Sequence, residues 1–264
     1  MSAHPRMASL PMYDFPEIRA HTNDLWAGMA HELIAVGIDD VPSALTRPDG
    51  PLVVHWRDNS LLLSQTCGYP VVRQLPDIHV LGSFAVVSGA ERPGHYRSVL
   101  VARRSDSRSL HGVAGFSGAR AAANDDGSLS GWVSLGWAFA EAGASPGPVT
   151  FTGQHALSVV AVRDGHADIA SIDSHSYSLF ARHRPESVEG LVVVGHGPEV
   201  AVTPLFTAHT ELVEPIRSAV ARALNSASPK VLSELMITGW VSHGREDHDH
   251  VVQLAERALA VLST

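Results

Sequence analysis

The sequence predicts an α/β fold that is divided into two lobes. Short apolar, β-rich runs alternate with segments of helical periodicity through most of the chain, a rhythm typical of α/β layers with mostly parallel strands. Two loops, 88–95 and 195–204, follow predicted strands where the chain could cross between lobes. We therefore expect a first lobe from residues 1–95 and 196–264 and a second, inserted lobe from 96–195, with a ligand cleft between them.

The first lobe is expected to begin with a strand and an amphipathic helix. We predict strands at 7–11, 61–66 and 78–87. The helix is predicted over 16–36 because its apolar residues recur at the spacing of one helical face. These residues are Ile18, Leu25, Trp26, Met29 and Leu33.

The second lobe continues the alternation, and the end of the chain is helical. Predicted strands are 96–103, 120–123, 148–152, 168–172 and 191–194, and predicted helices are 128–142, 155–164 and 176–183. Helical periodicity also covers 211–224 and 251–262, with few strands nearby. The apolar face of 251–262 predicts that this last helix packs on the first lobe or on a partner.

Composition excludes several functional classes. The chain has 264 residues, 45% apolar and 17% charged, with a net charge of −8, so we expect a folded protein without a nucleic-acid-binding face. No apolar run approaches the roughly 18 residues of a membrane span, so no direct membrane insertion is expected. The single cysteine, Cys67, rules out an internal disulfide.

The N-terminal residues 1–13 contain no apolar run of the kind that a secretory signal needs. As written, the sequence therefore predicts a cytoplasmic protein. If a signal was removed from a longer precursor, the prediction becomes periplasmic.

The first candidate for a ligand site lies between a predicted strand and the helix predicted from residue 128. Ser128 and Ser130 supply hydroxyl donors there, and Gly127 and Gly131 let a ligand approach the backbone. The start of a helix also offers unpaired N–H groups and about half a positive charge. These features favour a cradle for an anion, although a serine that simply caps the helix is the commoner use of such residues.

Two more candidates follow predicted strands of the same lobe. His155 begins a helix after strand 148–152, where it can donate a hydrogen bond to an anion. Asp173 stands at the end of strand 168–172, where it could orient His155 or hold a ligand ammonium, or cap the following helix instead.

Tyr13 and Tyr69 each lie in a turn after an apolar strand of the first lobe. A phenol offers both a stacking face and a hydrogen-bond donor, which suits the wall of a pocket. The alternative is an interfacial tyrosine packed on a helix.

The sequence contains none of the phosphate-loop, dinucleotide-binding or nucleophile-elbow motifs. Segment 243–250 is rich in histidine and acidic residues, but its charge predicts an exposed, solvated loop rather than a metal site. We expect neither a metal nor a cofactor.

The order of the motifs carries more information than any one of them. Residues 8–13, 65–70, 96–99, 124–131, 153–155 and 162–170 follow one another in a succession that resembles the phosphate/phosphite/phosphonate substrate-binding family of ABC transporters. The resemblance extends over about residues 7–207.

This resemblance implies a type II periplasmic-binding fold, in which a ligand cleft separates two hinged lobes. It implies that Ser128, Ser130 and His155 hold a tetrahedral oxyanion. It also places three tyrosines near the cleft and Asp173 toward the other end of the ligand. The tyrosines are Tyr13, Tyr69 and Tyr96.

The predicted function is that of a solute-binding protein for a small oxyanion such as a phosphonate or phosphate, with an ABC transporter permease as a possible partner. Hydroxyls, N–H groups and one histidine stabilise an anion but provide no activated nucleophile. One alternative is a cytosolic enzyme on the same fold, similar to menaquinone-pathway dehydratases or thiamin-pyrimidine synthases, with Asp173 or His155 as base. The other is a sensory binding module without a transporter.

Overall fold

The computed structural model describes residues 5–262, which form two compact units. Each unit contains one five-stranded sheet. The first unit comprises the described residues up to Val87 together with Ala201–Asp249. The second comprises Ser88–Val200 and the residues that follow Asp249.

The described part of the chain contains ten strands and ten α-helices. The strands are β1 (Met7–Ala8), β2 (Leu61–Gln65), β3 (His79–Val86), β4 (His95–Arg103), β5 (Ala121–Ala123), β6 (Val149–Phe151), β7 (Ile169–Ile172), β8 (Leu191–Ala201), β9 (Leu205–Thr207) and β10 (Ile237–Val241). The helices are α1 (Arg19–Ala35), α2 (Leu52–Trp56), α3 (Gly68–Arg73), α4 (Ser134–Glu141), α5 (His155–Arg163), α6 (Ser174–His183), α7 (Pro185–Val188), α8 (Val213–Ser226), α9 (Pro229–Glu234) and α10 (Val251–Leu262). A π-helical turn, Leu129–Val133, leads directly into α4.

In the first unit the strand order is β1-β2-β9-β3-β10. Strands β1 and β2 are parallel, whereas β9 runs antiparallel to both of its neighbours, β2 and β3. Strand β2 is buried along its whole length, which explains its continuous apolar start. The predicted face of α1 is buried, and α1 packs against α8.

In the second unit the strand order is β6-β5-β7-β4-β8. Strand β5 is parallel to both β6 and β7, and β4 is antiparallel to β7. Because of these directions, the carboxyl ends of β5, β6 and β7 share one edge of the sheet with the amino end of β4. The opposite edge collects the amino ends of β5 and β7 and the carboxyl end of β4.

The expectation of mostly parallel strands is wrong for β4, β9 and β10, each of which pairs in an antiparallel direction. An apolar run reports that a strand is buried, but it does not report the direction in which the strand runs. The predicted loop 195–204 is also largely strand, because β8 continues to Ala201. Strands β9 and β10 were not predicted, because both are short and neither shows a periodic apolar pattern.

Helix α10 packs on α4 in the second unit, so the expectation that it packs on the first lobe is wrong. Leu262 lies against Gly136 of α4, where an added Cβ atom would come within 2.6 Å of its Cδ1 atom. Ala258 is fully buried. The helix joins the second unit because its apolar face covers the core of α4, around Leu135 and Phe139. Residues 1–4 and 263–264 of the expected lobes lie outside the described residues.

None of the described helices combines the length and the apolar character that crossing a membrane requires.

Candidate functional site

The carboxyl-end edge of the second sheet gathers the start of three helical segments. The π-helical turn follows β5, α5 follows β6, and α6 follows β7. Ser128, Ser130, His155 and Asp173 all belong to these strand-to-helix connections. The strand directions therefore place all four predicted residues at one edge, as expected for loops after parallel strands.

The structure brings Ser128, Ser130 and His155 together. The Oγ atom of Ser130 lies 2.8 Å from Nε2 of His155 and 3.4 Å from Oγ of Ser128. Ser128 caps the π-helical turn, because its Oγ accepts a hydrogen bond from the N–H of Gly131 at 2.9 Å. Both serines are only 5% exposed. Ser128 therefore caps the π-helical turn and also contacts Ser130, which in turn contacts His155.

Backbone donors surround these side chains. Within the described residues, the N–H groups of Ser130, His155 and Ala156 donate no hydrogen bond, and the side chain of Gln154 does not cap α5. Unpaired N–H groups at the start of a nine-residue helix carry the positive end of its dipole. The edge therefore offers several hydrogen-bond donors that have no acceptor in the part of the chain that the structure describes.

The site carries no positive charge on His155 near neutral pH. Burial lowers the pKa of His155 from 6.5 to about 4, because a buried imidazole loses hydration of its charged form. Its Nδ1 atom is inaccessible and has no hydrogen-bond partner among the described residues. An anion at this edge would be held by hydroxyls, N–H groups and a neutral imidazole.

Asn124 was not among the predicted site residues, although it directly follows β5. Its carbonyl oxygen accepts from the N–H of Gly153 at 2.8 Å, which ties the two strand-to-helix connections together. A Cβ atom added to Gly131 would lie 1.8 Å from Oδ1 of Asn124. The space beside Gly131 is therefore filled by Asn124, and the expectation that this glycine leaves room for a ligand is wrong.

Asp173 caps α6, which was one of the two roles open to it. Its Oδ1 accepts a hydrogen bond from the N–H of Ser176 at 2.7 Å, and the residue is 2% exposed. Tyr96 is buried, at 1% exposure, near the start of β4. In the antiparallel register, Val99 pairs with Ile172, so Tyr96 lies toward the edge at which Asp173 stands.

Tyr13 and Tyr69 belong to the first unit and are half-buried. The hydroxyl of Tyr13 accepts a hydrogen bond from Oγ1 of Thr203 at 3.3 Å, and Thr203 in turn accepts one from Nε2 of Gln65 at 3.0 Å. Gln65 ends β2 and Thr203 precedes β9, so this chain of polar groups follows the carboxyl end of β2. Thr203 was not predicted because its partners are distant in sequence.

The histidine-rich segment is only partly exposed, because Glu246, Asp247 and Asp249 face solvent whereas His248 does not. His248 is fully buried, its ring centre lies 5.3 Å from that of His243, and Nε2 of His243 lies 2.7 Å from Oγ of Ser83. The guanidinium of Arg245 donates to the carbonyl groups of Val71 and Leu75 at the end of α3. These contacts dock the segment on the first unit, which local charge could not reveal. Among residues 5–262, no three His, Cys, Asp or Glu side chains are grouped so as to hold a metal ion.

Comparison with solved structures identifies the fold. A binding protein component of an ABC phosphonate transporter from Pseudomonas aeruginosa matches with a TM-score of 0.74 and 15% identity, covering 98% of this chain and 88% of that chain. PhnD1 from Prochlorococcus marinus, in complex with methylphosphonate, matches with a TM-score of 0.74 and 12% identity, covering 96% and 97%. A protein from Xanthomonas citri bound to ATP has a TM-score of 0.68 at 14% identity, covering 98% of both chains. The expected periplasmic-binding-protein fold is confirmed.

Comparison with curated protein sequences gives no match. The family model described as "ABC transporter, phosphonate, periplasmic substrate-binding protein" matches residues 60–247, which is more than two thirds of the chain. The model describes the solute-binding component of a transporter, which favours binding over the enzymatic alternatives, and it describes a periplasmic family. The chain belongs to the periplasmic substrate-binding proteins of ABC phosphonate transporters.

Proposed function

We propose that the carboxyl-end edge of the second sheet binds the oxyanion head of a phosphonate through Ser128, Ser130, His155 and the neighbouring N–H groups. The observation that carries the proposal is the 2.8 Å contact between Ser130 Oγ and His155 Nε2. It joins the starts of two helical segments that follow different strands. The strand directions bring both starts to one edge, and this contact further brings their side chains within hydrogen-bond distance of each other.

The unused donors support an anion as the ligand. Among residues 5–262, the N–H groups of Ser130, His155 and Ala156 have no acceptor, and a tetrahedral oxyanion has three oxygens that can accept several such bonds. Hydrogen bonds to a charged group contribute roughly 1.5–3 kcal/mol each. Three or four of them, less the cost of ordering the ligand, reach the roughly 8 kcal/mol of a micromolar complex.

The remaining predicted residues have supporting roles in this proposal. Asp173 caps α6 at the same edge and holds that helix start in place. Tyr96 lies beneath the edge in β4, where it shapes the site from within the unit. Tyr13 and Tyr69 belong to the first unit, and this proposal gives them no part in holding the oxyanion head.

The family and the solved relatives support the choice of ligand and setting. PhnD1 from Prochlorococcus marinus was solved with methylphosphonate, and the family is one of periplasmic components of ABC phosphonate transporters. We therefore propose that this chain binds a small phosphonate in the periplasm and delivers it to an ABC permease.

Calorimetric titration with methylphosphonate tests the proposal. The variants Ser130→Ala and His155→Ala should each weaken binding roughly 10- to 100-fold, because each removes a hydrogen-bonding group that the anion or its neighbour uses. Ser226→Ala and His166→Ala are matched controls, since both residues lie away from this edge and should leave the affinity unchanged. Equal affinities in all four variants would place the anion elsewhere.

A further inference from the structure

The first unit contains a pocket that the oxyanion site does not use. It has a volume of about 190 Å³ and lies beside the end of β1, between the β1–α1 connection and the segment that precedes α2. Its walls include Leu10 and Leu45, which are 5% and 8% exposed, together with Leu52. An apolar cavity of about 150 Å³ accepts a benzene ring, so this pocket can hold a ring or a short branched chain.

One side of the pocket is charged. Asp14, Arg19 and Arg47 line it together. Arg47 makes a two-point contact with Asp14, with Nε 2.6 Å from Oδ2 and Nη2 3.2 Å from Oδ1, and Nη2 also donates to Asn23 at 2.9 Å. These contacts fix Arg47 in position, yet its Nη1 atom makes no hydrogen bond within the described structure.

Arg19 makes fewer polar contacts than Arg47. Its one ionic contact among the described residues is from Nε to Oδ2 of Asp14, at 3.6 Å, which is too long for a good hydrogen bond. Two guanidinium groups and one carboxylate leave the pocket with an excess of one positive charge. Asp14 holds Arg47 at hydrogen-bond distance, at 2.6 Å and 3.2 Å, whereas Arg19 stays at 3.6 Å.

We propose that this pocket binds a small organic anion, with its acidic group on Arg19 and Arg47 and its apolar body against Leu10, Leu45 and Leu52. Guanidinium groups match the planar geometry of a carboxylate, and the leucines exclude water from the body of the ligand. Asp14 limits the affinity, because its charge repels the anion while its oxygens hold Arg47 in place.

The experiment uses benzoate as a probe, with benzamide as its uncharged counterpart and acetate as the anion without an apolar body. Binding to the full chain is followed by the amide 1H–15N shifts of residues around the pocket. We expect benzoate to bind with a Kd in the millimolar range, and benzamide and acetate to bind at least about fivefold more weakly. Absence of benzoate binding at about 10 mM, or equal binding of benzoate and benzamide, overturns the proposal.

Two variants should change the affinity for benzoate in opposite directions, and a third should leave it unchanged. Arg19→Gln should weaken benzoate binding roughly fivefold, while Asp14→Asn should strengthen it, because the amide still accepts a hydrogen bond from Arg47 but no longer repels the anion. Arg57→Gln is the matched control, since the guanidinium of this exposed arginine donates to the carbonyl of Gln74 instead. Unchanged affinity in Arg19→Gln, or weaker binding in Asp14→Asn, contradicts the proposal. If Arg19→Gln does not fold, Asp14→Asn alone decides.

Discussion

At the amino ends of β5 and β7 charged side chains pair with one another, whereas at the carboxyl ends of β5 and β6 several N–H donors have no acceptor within residues 5–262. Asp168, immediately before β7, contacts Arg103 at 2.8 Å and Arg120 at 3.0 Å, and Arg108 approaches the same oxygen at 3.3 Å. At the other edge, the N–H of Ser130 donates no hydrogen bond within the described residues. One edge is satisfied internally, and the other keeps N–H donors that have no acceptor among the described residues.

The pKa of Asp168 shows how strongly arginines hold its carboxylate at the amino ends of β5 and β7 (the charged edge). Burial by itself raises the pKa of this carboxyl, but hydrogen bonds from Arg120 and Arg103 outweigh it and lower the pKa from 3.8 to about 2. His155, at the opposite edge, has only burial acting on it, and its pKa falls to about 4. A ligand at the first edge would have to compete with existing ion pairs, whereas a ligand at the second would meet N–H groups that have no acceptor among the residues that the structure describes. The comparison indicates that charge alone is a poor guide to where an anion binds.

The largest effect is expected from Asp168→Asn. The substitution leaves Arg103 and Arg120 without their carboxylate and should lower the free energy of unfolding by about 2 kcal/mol or more. Because the folded pKa lies below the unfolded one, this contribution is present above the unfolded value of 3.8 and is lost as the pH falls toward about 2. Urea denaturation near neutral pH measures the loss, and methylphosphonate affinity should not change. A variant as stable as the parent would mean that the ion pairs of Asp168 do not stabilise the fold.

Gly131→Ala should come next. The added Cβ would meet Oδ1 of Asn124 at 1.8 Å, so the turn must shift, at a cost of roughly 1–3 kcal/mol in stability. Methylphosphonate binding should weaken as well, because Ser128 and Ser130 move with the turn. Gly28→Ala in the middle of α1 is the control: no atom lies within 4 Å of the added methyl group, and that variant should be slightly more stable. If Gly131→Ala binds methylphosphonate and unfolds like the parent, the turn at the carboxyl-end edge of the second sheet (the donor edge, with Ser128, Ser130 and His155) can move without loss.

The smallest effect concerns pH, because burial disfavours the charged form of the His155 imidazole. With a pKa of about 4 instead of 6.5, the imidazole stays neutral over most of the range in which a free histidine titrates. The unfolded chain takes up this proton first, so His155 lowers stability as the pH falls from about 6.5 to about 4. An NMR titration of the histidine rings, assigned with His155→Ala, should show this ring titrating well below the ordinary value. A midpoint near 6.5 would show that the ring is hydrated.

The elements of the second unit and the core of its donor edge could be predicted from the sequence because the signals are local. A strand followed by Ser128 or by His155 places each side chain at a helix start, and parallel neighbours bring those starts to one edge. The sequence also predicted that Asp173 either caps a helix or faces a ligand, and the structure shows the cap.

The features that could not be predicted depend on partners far apart in the chain. Asp168 draws on arginines at positions 103, 108 and 120, and His248 is buried by a segment that docks on α3. The placement of α10 follows from the fit of Leu262 against Gly136, which no periodicity encodes. The direction of β4, β9 and β10 was missed because burial gives a strand its composition whichever way it runs.

The decisive experiment is an amide 1H–15N titration of the full chain with methylphosphonate, because it shows whether the N–H groups of Ser130, His155 and Ala156 bind the oxyanion. A new acceptor pulls an amide proton away from its nitrogen and shifts its resonance. We expect the amides of Ser130, His155 and Ala156 to show the largest shifts, and those of Arg103, Arg120 and Asp168 at the opposite edge to stay in place. Saturable binding that leaves the amides of Ser130, His155 and Ala156 unshifted would contradict this expectation.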